Sequence, residues 1–533
     1  MRNKELLTYA LLFLVIALFA GIRFRLRNMP LERDEGEYAY MGQLMLQRIP
    51  PYKLVYTMKL PGTHAAYAAI LALFGQTPAG IHFGLLLVNT ATTLLVYMLA
   101  ARLSGWLAGL MAAASYALLS TSFSVLGFAA HATHFVVISA LAGILFLLSA
   151  VETRRAWQFF AGGFLLGLAF LMKQPGVAFA VFGVLYLLRR EWPRLANWID
   201  LVSGVGWYVA GVLLPFGLTC LVLFVGGVFK TFWFWVFIYG GEYASENSVS
   251  FGVQRFMEVF PTVVGPAVGV WIIAALGLTT FLWCREVRSH ADFIGGLLLC
   301  SFLAVCPGFF FREHYFILML PVVALLAGIA VHSATQVLAR TGRGLFLAAI
   351  PVLLFATAFG YALVLQRTPL FKTDPLLACQ ERYGDNPFPE AVVIAQYLDA
   401  HTSASDRIAV LGSEPEIYFY AKRHSATGFV YMYGLMEQQK YSREMRRQMI
   451  SEVELAHPQF LVVVECDLSW LPILGSPQQL SFSTWSNNYV RSNYELIGVT
   501  DRVDDHTVFR WGDEAKNYQP TSNTVVEVFK RRA

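Results

Sequence analysis

Apolar stretches of helix-spanning length recur through the first 365 residues, near 5–22, 80–101, 105–122, 134–150, 157–172, 175–189, 202–226, 262–284, 292–310, 315–338 and 344–365. About twenty apolar residues in a helix cross the roughly 30 Å hydrocarbon core of a bilayer. Such segments fold as helices because hydrocarbon offers backbone amides no other partner. The chain therefore reads as a polytopic α-helical membrane protein of about eleven spans, the shortest of them 157–172. Only 14% of its residues are charged, against about 25% in soluble domains. The N-terminal run Leu6–Ile22 follows Arg2 and Lys4 and has no small-residue cleavage site before the RFRLR cluster, so it reads as an uncleaved first helix.

A net charge of +5 on 533 residues suits an anionic lipid surface or substrate better than nucleic acid, for which no motif is visible. Cys220, Cys284, Cys300 and Cys306 lie in or beside apolar segments and read as small hydrophobes. Cys379 and Cys466 lie in the polar tail, where a disulfide is conceivable outside the cytoplasm. No CxxC points to zinc.

Basic residues in short loops orient the helices. With the N-terminus in the cytoplasm, cytoplasmic loops hold Arg102, Arg154, Arg155, Arg189, Arg190, Arg194, Arg285, Arg288, Arg340 and Arg343. The opposite loops after the first hold Lys173, Lys230, Arg255 and Arg312, four against ten. The first loop breaks the rule with Arg23, Arg25, Arg27, Arg33, Arg48, Lys53 and Lys59, which suggests a use for the charges, such as holding an anionic headgroup. A misjudged first helix is the plainer explanation. Eleven spans put the C-terminal tail, the Lys173-Gln174 break, the 227–261 loop and the Arg312–Tyr315 turn on the face of that first loop, the extracytoplasmic one. The aromatic 227–261 loop reads as an interfacial anchor or as the wall of a groove that admits lipid.

Residues 31–64 pack Arg33, Asp34, Glu35, Glu37, Lys53 and Lys59 among aromatic residues and prolines. Connecting two helices needs no such density of charge, so this loop, within 23–79, is the candidate active site. After Gln366 the composition becomes that of a soluble domain. Residues 367–533 alternate helix and strand: helices near 389–401, 415–421 and 435–456, strands near 407–411, 460–465, 493–499, 505–511 and 523–530. That pattern predicts a small α/β domain, without a GxGxxG or P-loop for nucleotide. The membrane domain then covers 1–366.

Several motifs together resemble a known family. RDEGEYAYMGQ opens the first loop, Pro50-Pro51-Tyr52 and Lys59-Leu60-Pro61-Gly62 follow, Lys173-Gln174-Pro175 and REHYFILMLP at 312–321 recur later, and the tail carries IAVLGSEPEIYFYAKR at 408–423. The chain resembles the dolichyl-phosphate-mannose protein mannosyltransferase and aminoarabinose transferase superfamily of C-type glycosyltransferases, above all its bacterial members. The resemblance implies that a sugar is taken from a polyprenyl-phosphate carrier on the extracytoplasmic face of a bacterial inner membrane and passed to a lipid, glycan or protein acceptor. It implies that Asp34, with Glu35 adjacent, is the catalytic carboxylate, and that Lys59 contacts the carrier phosphate. The lysine motif lacks an acidic neighbour found in some members. Residues 131–134 read His-Ala-Thr-His where many members carry an acidic residue. Both departures bear on a metal site.

Transfer from a lipid phosphate requires that the acceptor's proton be drawn off or the developing sugar cation be stabilised, and a carboxylate does either. The leaving phosphate must be met by cations. Asp34 beside Lys59, Lys53 and Arg312 supplies both halves. Phosphate needs no acid to leave, so one carboxylate suffices, and direct displacement would invert the anomeric centre. Arg33, Glu37, Tyr38, Lys173, His314 and Tyr315 are further candidates for the substrate site. Each has a plainer reading: Asp34 as the cap of a helix beginning at Gly36, Lys59 as an interfacial lysine, Glu37 as a solvated first-turn residue. His131 and His134, at i and i+3, share a helix face. They would serve a divalent metal or merely line a polar surface; a divalent metal is the one cofactor the residues leave open. A transporter or flippase for a lipid-linked sugar is the competing function, but mid-membrane charges and internal repeats are not apparent.

Overall fold

The computed structural model describes residues 2–191, 198–340, 345–471, 477–503 and 506–532. Arg194 and Arg343 lie outside the described residues. Each of the eleven apolar stretches falls on a helix. Seven helical stretches are long and apolar enough to cross a membrane: Glu5–Arg25, Pro78–Ser104, Ala132–Thr153, Val202–Val225, Val249–Trp283, Leu320–Arg340 and Phe346–Leu365. Shorter apolar helices cover Trp106–Ser120, Ala156–Met172 and Ala291–Val305, and Val177–Glu191 follows the break at Lys173. Small residues let the helices approach closely, as in many membrane bundles. A Cβ on Gly167 would stand 2.4 Å from the Val212 carbonyl oxygen, so only glycine fits there.

The 227–261 segment differs from its reading as a loop. It is helical over Phe229–Trp233, takes a π turn at Phe234–Tyr239, and continues through Gly240–Ala244 and Val249–Val264. The last of these runs on through a short 3₁₀ turn into Val268–Trp283. The apolar 262–284 stretch is thus the second half of a longer broken helix.

The tail forms one six-stranded sheet. Its strands are β1 (Arg407–Leu411), β2 (His424–Ser425), β3 (Phe460–Glu465), β4 (Tyr494–Val503), β5 (His506–Trp511) and β6 (Val525–Arg531), in the order β2-β1-β3-β6-β4-β5. β1 pairs in parallel with β2 and β3; the other pairings are antiparallel. The β1 and β3 sequences, RIAVL and FLVVVE, are nearly continuous apolar runs because helices cover both faces of that parallel part. All six cysteines are free, Cys379 and Cys466 included.

The first loop holds two helices, Arg33–Leu46 and Pro61–Phe74, and the tail sits directly on the first of them. A Cβ on Gly36 would lie 2.6 Å from the backbone nitrogen of Glu416, so glycine is what permits this approach. Arg33 Nη2 donates to Glu414 Oε1 at 2.9 Å and to Asn386 Oδ1 at 3.0 Å. The Tyr56 amide donates to Gly428 O at 2.7 Å, and the Ser425 amide donates to Tyr40 Oη at 2.8 Å.

Candidate active site

Glu32 caps the Arg33–Leu46 helix. It receives the Glu35 amide at 2.9 Å, while the Glu35 carboxylate receives the Glu32 amide at 3.4 Å. This reciprocal pair satisfies two amides that the first turn would leave orphaned. Asp34 is therefore not the cap of a helix beginning at Gly36; it lies inside the first turn. Burial and the like charges of Asp34 and Glu35 push the Glu32 carboxyl up to about 8.

One face of this helix opens into a cavity of about 400 Å³. Asp34, Glu37, Tyr38 and Lys59 form its first-loop wall; Lys173, Arg312, His314 and Tyr315 come from the breaks between membrane helices. Trp235, Phe237, Tyr239 and Tyr243 form an aromatic side, and Tyr431, Tyr433 and Glu437 enter from the tail. Lys59 Nζ donates to Asp34 Oδ1 at 2.8 Å and to Glu37 Oε2 at 2.6 Å. Tyr431 Oη donates to Asp34 Oδ1 at 2.7 Å. Burial alone would raise the Asp34 carboxyl, but Lys59 outweighs it, and Asp34 is held well below the usual carboxylate range. The same pair holds Lys59 well above the ordinary lysine value against the pull of burial.

Lys59 is thus shared by two carboxylates. Among the described residues, Lys173 and Arg312 are the cavity cations without a carboxylate partner. Lys173 Nζ stands 4.0 Å from the Tyr315 ring centroid, and Arg312 Nη2 approaches Tyr243 Oη at 3.4 Å. Burial pushes Lys173 down to about 7, with Asp34 opposing and Lys59 and Arg312 adding to the effect. Two cations facing one cavity, neither of them in an ion pair among the described residues, form a site for an anionic group.

His131, at the start of the Ala132–Thr153 helix, and His314 stack face to face, with ring centroids 4.0 Å apart and planes 10° from parallel. Burial pushes His131 down to about 4 and His314 well below the ordinary range, so both rings are neutral at pH 7. Neither nitrogen of His131 has a hydrogen-bond partner, nor does His314 Nδ1. Asp34, His131 and His314 offer ligand atoms within 4.8 Å of one another; His134 is not in this group. Two imidazoles and a carboxylate are a donor set for a borderline ion such as Zn²⁺. The parallel stack would have to open before both in-plane lone pairs could meet one ion.

The other first-loop candidates have different surroundings. Glu35 is fully buried; it receives the Ala130 amide at 2.7 Å and meets His82 Nε2 at 3.0 Å, and it does not line the cavity. His82 Nδ1 faces the Arg27 carbonyl at 2.8 Å, so that nitrogen carries a proton. Arg33 binds the tail, and Lys53 is exposed and away from the cavity. The cations expected to hold a headgroup mostly brace the protein. Arg23 donates to Gly127 O and Ser120 O, both at 2.7 Å, and Arg25 to Thr373 O at 2.6 Å. Glu37 is 1% exposed, so it is not a solvated first-turn residue. Tyr431, Tyr433 and Glu437 are the residues that sequence reasoning missed. Only the aromatic run FVYMYG beside an acidic residue marked them.

The sequence model of the dolichyl-phosphate-mannose-protein mannosyltransferase family matches residues 59–217. No curated protein sequence matches. Among solved structures, ArnT from Cupriavidus metallidurans bound to undecaprenyl phosphate superposes with a TM-score of 0.60 at 17% identity, over 98% of each chain. The archaeal oligosaccharyltransferase AglB from Archaeoglobus fulgidus, in complex with an inhibitory peptide and a dolichol-phosphate, gives 0.51 at 11% identity, over 94% of this chain and 74% of its own. The apo form of the A. fulgidus enzyme gives 0.51 at 12% identity, over 96% and 75%. The chain has the fold of these membrane transferases, and the family resemblance holds over the matched residues.

Proposed function

We propose that this protein is an integral membrane glycosyltransferase that moves a sugar from a polyprenyl-phosphate carrier to an acceptor by inverting displacement. The reaction would take place on the extracytoplasmic face of a bacterial inner membrane, with the first-loop helices and residues 367–533 on that side. The carrying observation is the charge layout of the cavity: Asp34 on one wall, and Lys173 and Arg312 without a carboxylate partner on another. The two cations receive the phosphate and take up its charge as the anomeric bond breaks. Asp34, fixed by Lys59 and Tyr431, faces the positive charge that develops on the sugar. Tyr38, His314 and Tyr315 shape the sugar pocket, and the Trp235–Tyr243 side offers the polyprenyl chain an apolar path. The carrier bound to ArnT and the dolichol-phosphate bound to AglB support this reading.

The test is transfer by the full-length protein in lipid nanodiscs, with a panel of undecaprenyl-phosphate sugars and envelope lipids and glycans as acceptors. Asp34→Asn should lower turnover about 10²–10³-fold and leave undecaprenyl phosphate binding intact. A product of retained configuration would sink the displacement. Movement of carrier across the bilayer that survives Asp34→Asn, with no product formed, would make the protein a flippase instead.

A further inference from the structure

The acidic residues on the cavity wall are Asp34, Glu37 and Glu437. The first two share Lys59, and a carboxylate bound to an ammonium is a poor base. Glu437 differs. It lies just past the short Tyr433–Met436 helix of the tail, and Tyr239 Oη donates to its Oε2 at 2.8 Å. Among the described residues, its Oε1 has no hydrogen bond and no basic group pairs with it.

The groups facing it are Tyr239, Tyr243 and Glu246 from the aromatic wall and Arg312 from the opposite turn. Burial raises its carboxyl to about 7; Tyr239 and Arg312 pull it down and Glu246 pushes it up. A base is most effective near the working pH.

On the transferase reading above, we propose that Glu437 is the general base of the acceptor side. It takes the proton of the acceptor hydroxyl as that oxygen bonds to the anomeric carbon. The bond from that carbon to the phosphate oxygen breaks, and its electron pair leaves with the phosphate. Asp34 keeps the other task, opposing the charge on the sugar. The two carboxylates thus come from different parts of the chain, one from the first loop and one from the tail. The acceptor then enters between the tail and the Trp235–Tyr243 side.

The experiment compares wild type, Glu437→Gln and Asp34→Asn in nanodiscs, with the donor that the transfer panel identifies. Glu437→Gln keeps an oxygen to receive Tyr239, so the fold should hold and undecaprenyl phosphate should bind within threefold of wild type. Its transfer rate to a hydroxyl acceptor should fall about 10²–10⁴-fold, and kcat/KM should lose its acid limb near pH 7. Azide needs no base, so transfer from the donor to azide should proceed in Glu437→Gln at the wild-type rate. Asp34→Asn should be slow with both nucleophiles and retain the limb. Wild-type turnover together with an unchanged rate and limb in Glu437→Gln overturns the base. So does an equal loss with azide and hydroxyl. A wild type inactive on every donor would instead overturn the transferase reading itself.

Discussion

Asp34 and Glu35 are adjacent in sequence and opposite in surroundings. Asp34 is 18% exposed and turned to the cavity, with Lys59 and Tyr431 on one oxygen. Glu35 is 0% exposed and braces three segments, through the Glu32 and Ala130 amides and His82. A helix turns about 100° per residue, so neighbours cannot share a face. Adjacency that reads as reinforcement of one catalytic cluster is, in the structure, a cavity-facing carboxylate beside a buried, bracing one. Glu37, three residues after Asp34, returns to the cavity face and completes the Lys59 bridge.

The largest expected effect tests that division directly. Beside the loss of turnover in Asp34→Asn, Glu35→Gln should keep turnover per folded molecule within a few-fold. Its cost falls on stability instead, about 1–3 kcal/mol for the poorly matched buried partner, read as earlier unfolding in denaturant. Equal loss of turnover in both variants would erase the distinction. Next comes Arg33, the third charge of the same turn, 11% exposed against a Glu414 that is fully buried. Arg33→Met should destabilise by about 3–5 kcal/mol, because it strips a buried carboxylate of its counter-charge and leaves it only the Ser469 hydroxyl, 2.7 Å from Oε2. Arg33→Met with Glu414→Met should recover most of that. A single variant as stable as wild type would deny Arg33 its architectural part.

Lys173 sharpens the cavity side. With the carrier absent its ammonium sits at about 7 against an ordinary 10.5. A bound phosphate restores the charged form, so at pH 8 binding of undecaprenyl phosphate should take up close to one proton. Affinity should fall up to about tenfold per pH unit above 7. Calorimetry in two buffers of different ionisation enthalpy reads the proton, and Lys173→Met should abolish it. The stability sign is the reverse. Between about 7 and 10.5 the unfolded lysine holds a proton that the folded one has lost, so the ligand-free fold gains stability as pH rises through that window. Below 7 both states are charged and the burial penalty is complete.

Much of this was legible in the sequence where the signal is local. β1 and β3 coincide with their β-branched runs, and each apolar stretch falls on a helix, because protein on both faces of a strand, or protein and a hydrocarbon surround on a membrane-length helix, leaves an unbroken apolar pattern. The aromatic content of 227–261 marked a wall, and Trp235, Phe237, Tyr239 and Tyr243 do line the cavity, but the helices that carry them were not legible in what read as a loop. Asp34, Lys59, Lys173 and Arg312 were all marked by charge in apolar surroundings, and the cavity brings them together. Which charges cancel which was not legible. Asp34 and Lys59 are 25 positions apart, and Tyr431 is 397 from Asp34. Such pairings are set by the tail's docking on the first loop, which no local pattern encodes.

That docking also supplies the smallest effect. Tyr56, in the first loop, stacks on Trp235 with centroids 5.4 Å apart and donates its hydroxyl to Glu452 of the tail at 2.9 Å. Glu452 also receives the Thr427 hydroxyl at 2.7 Å and the Gly428 amide at 2.9 Å, so it keeps partners without Tyr56. Tyr56→Phe preserves the stack and removes one hydrogen bond to a charged acceptor, worth about 1.5 kcal/mol where that acceptor keeps its other partners. Hydrogen exchange at Thr427 and Gly428 should quicken modestly while turnover holds. A large loss of turnover would mean that the tail's grip on the first loop positions Asp34 itself. The separation between bracing and chemistry would then run through the interface between loop and tail, and not between the two faces of one helix.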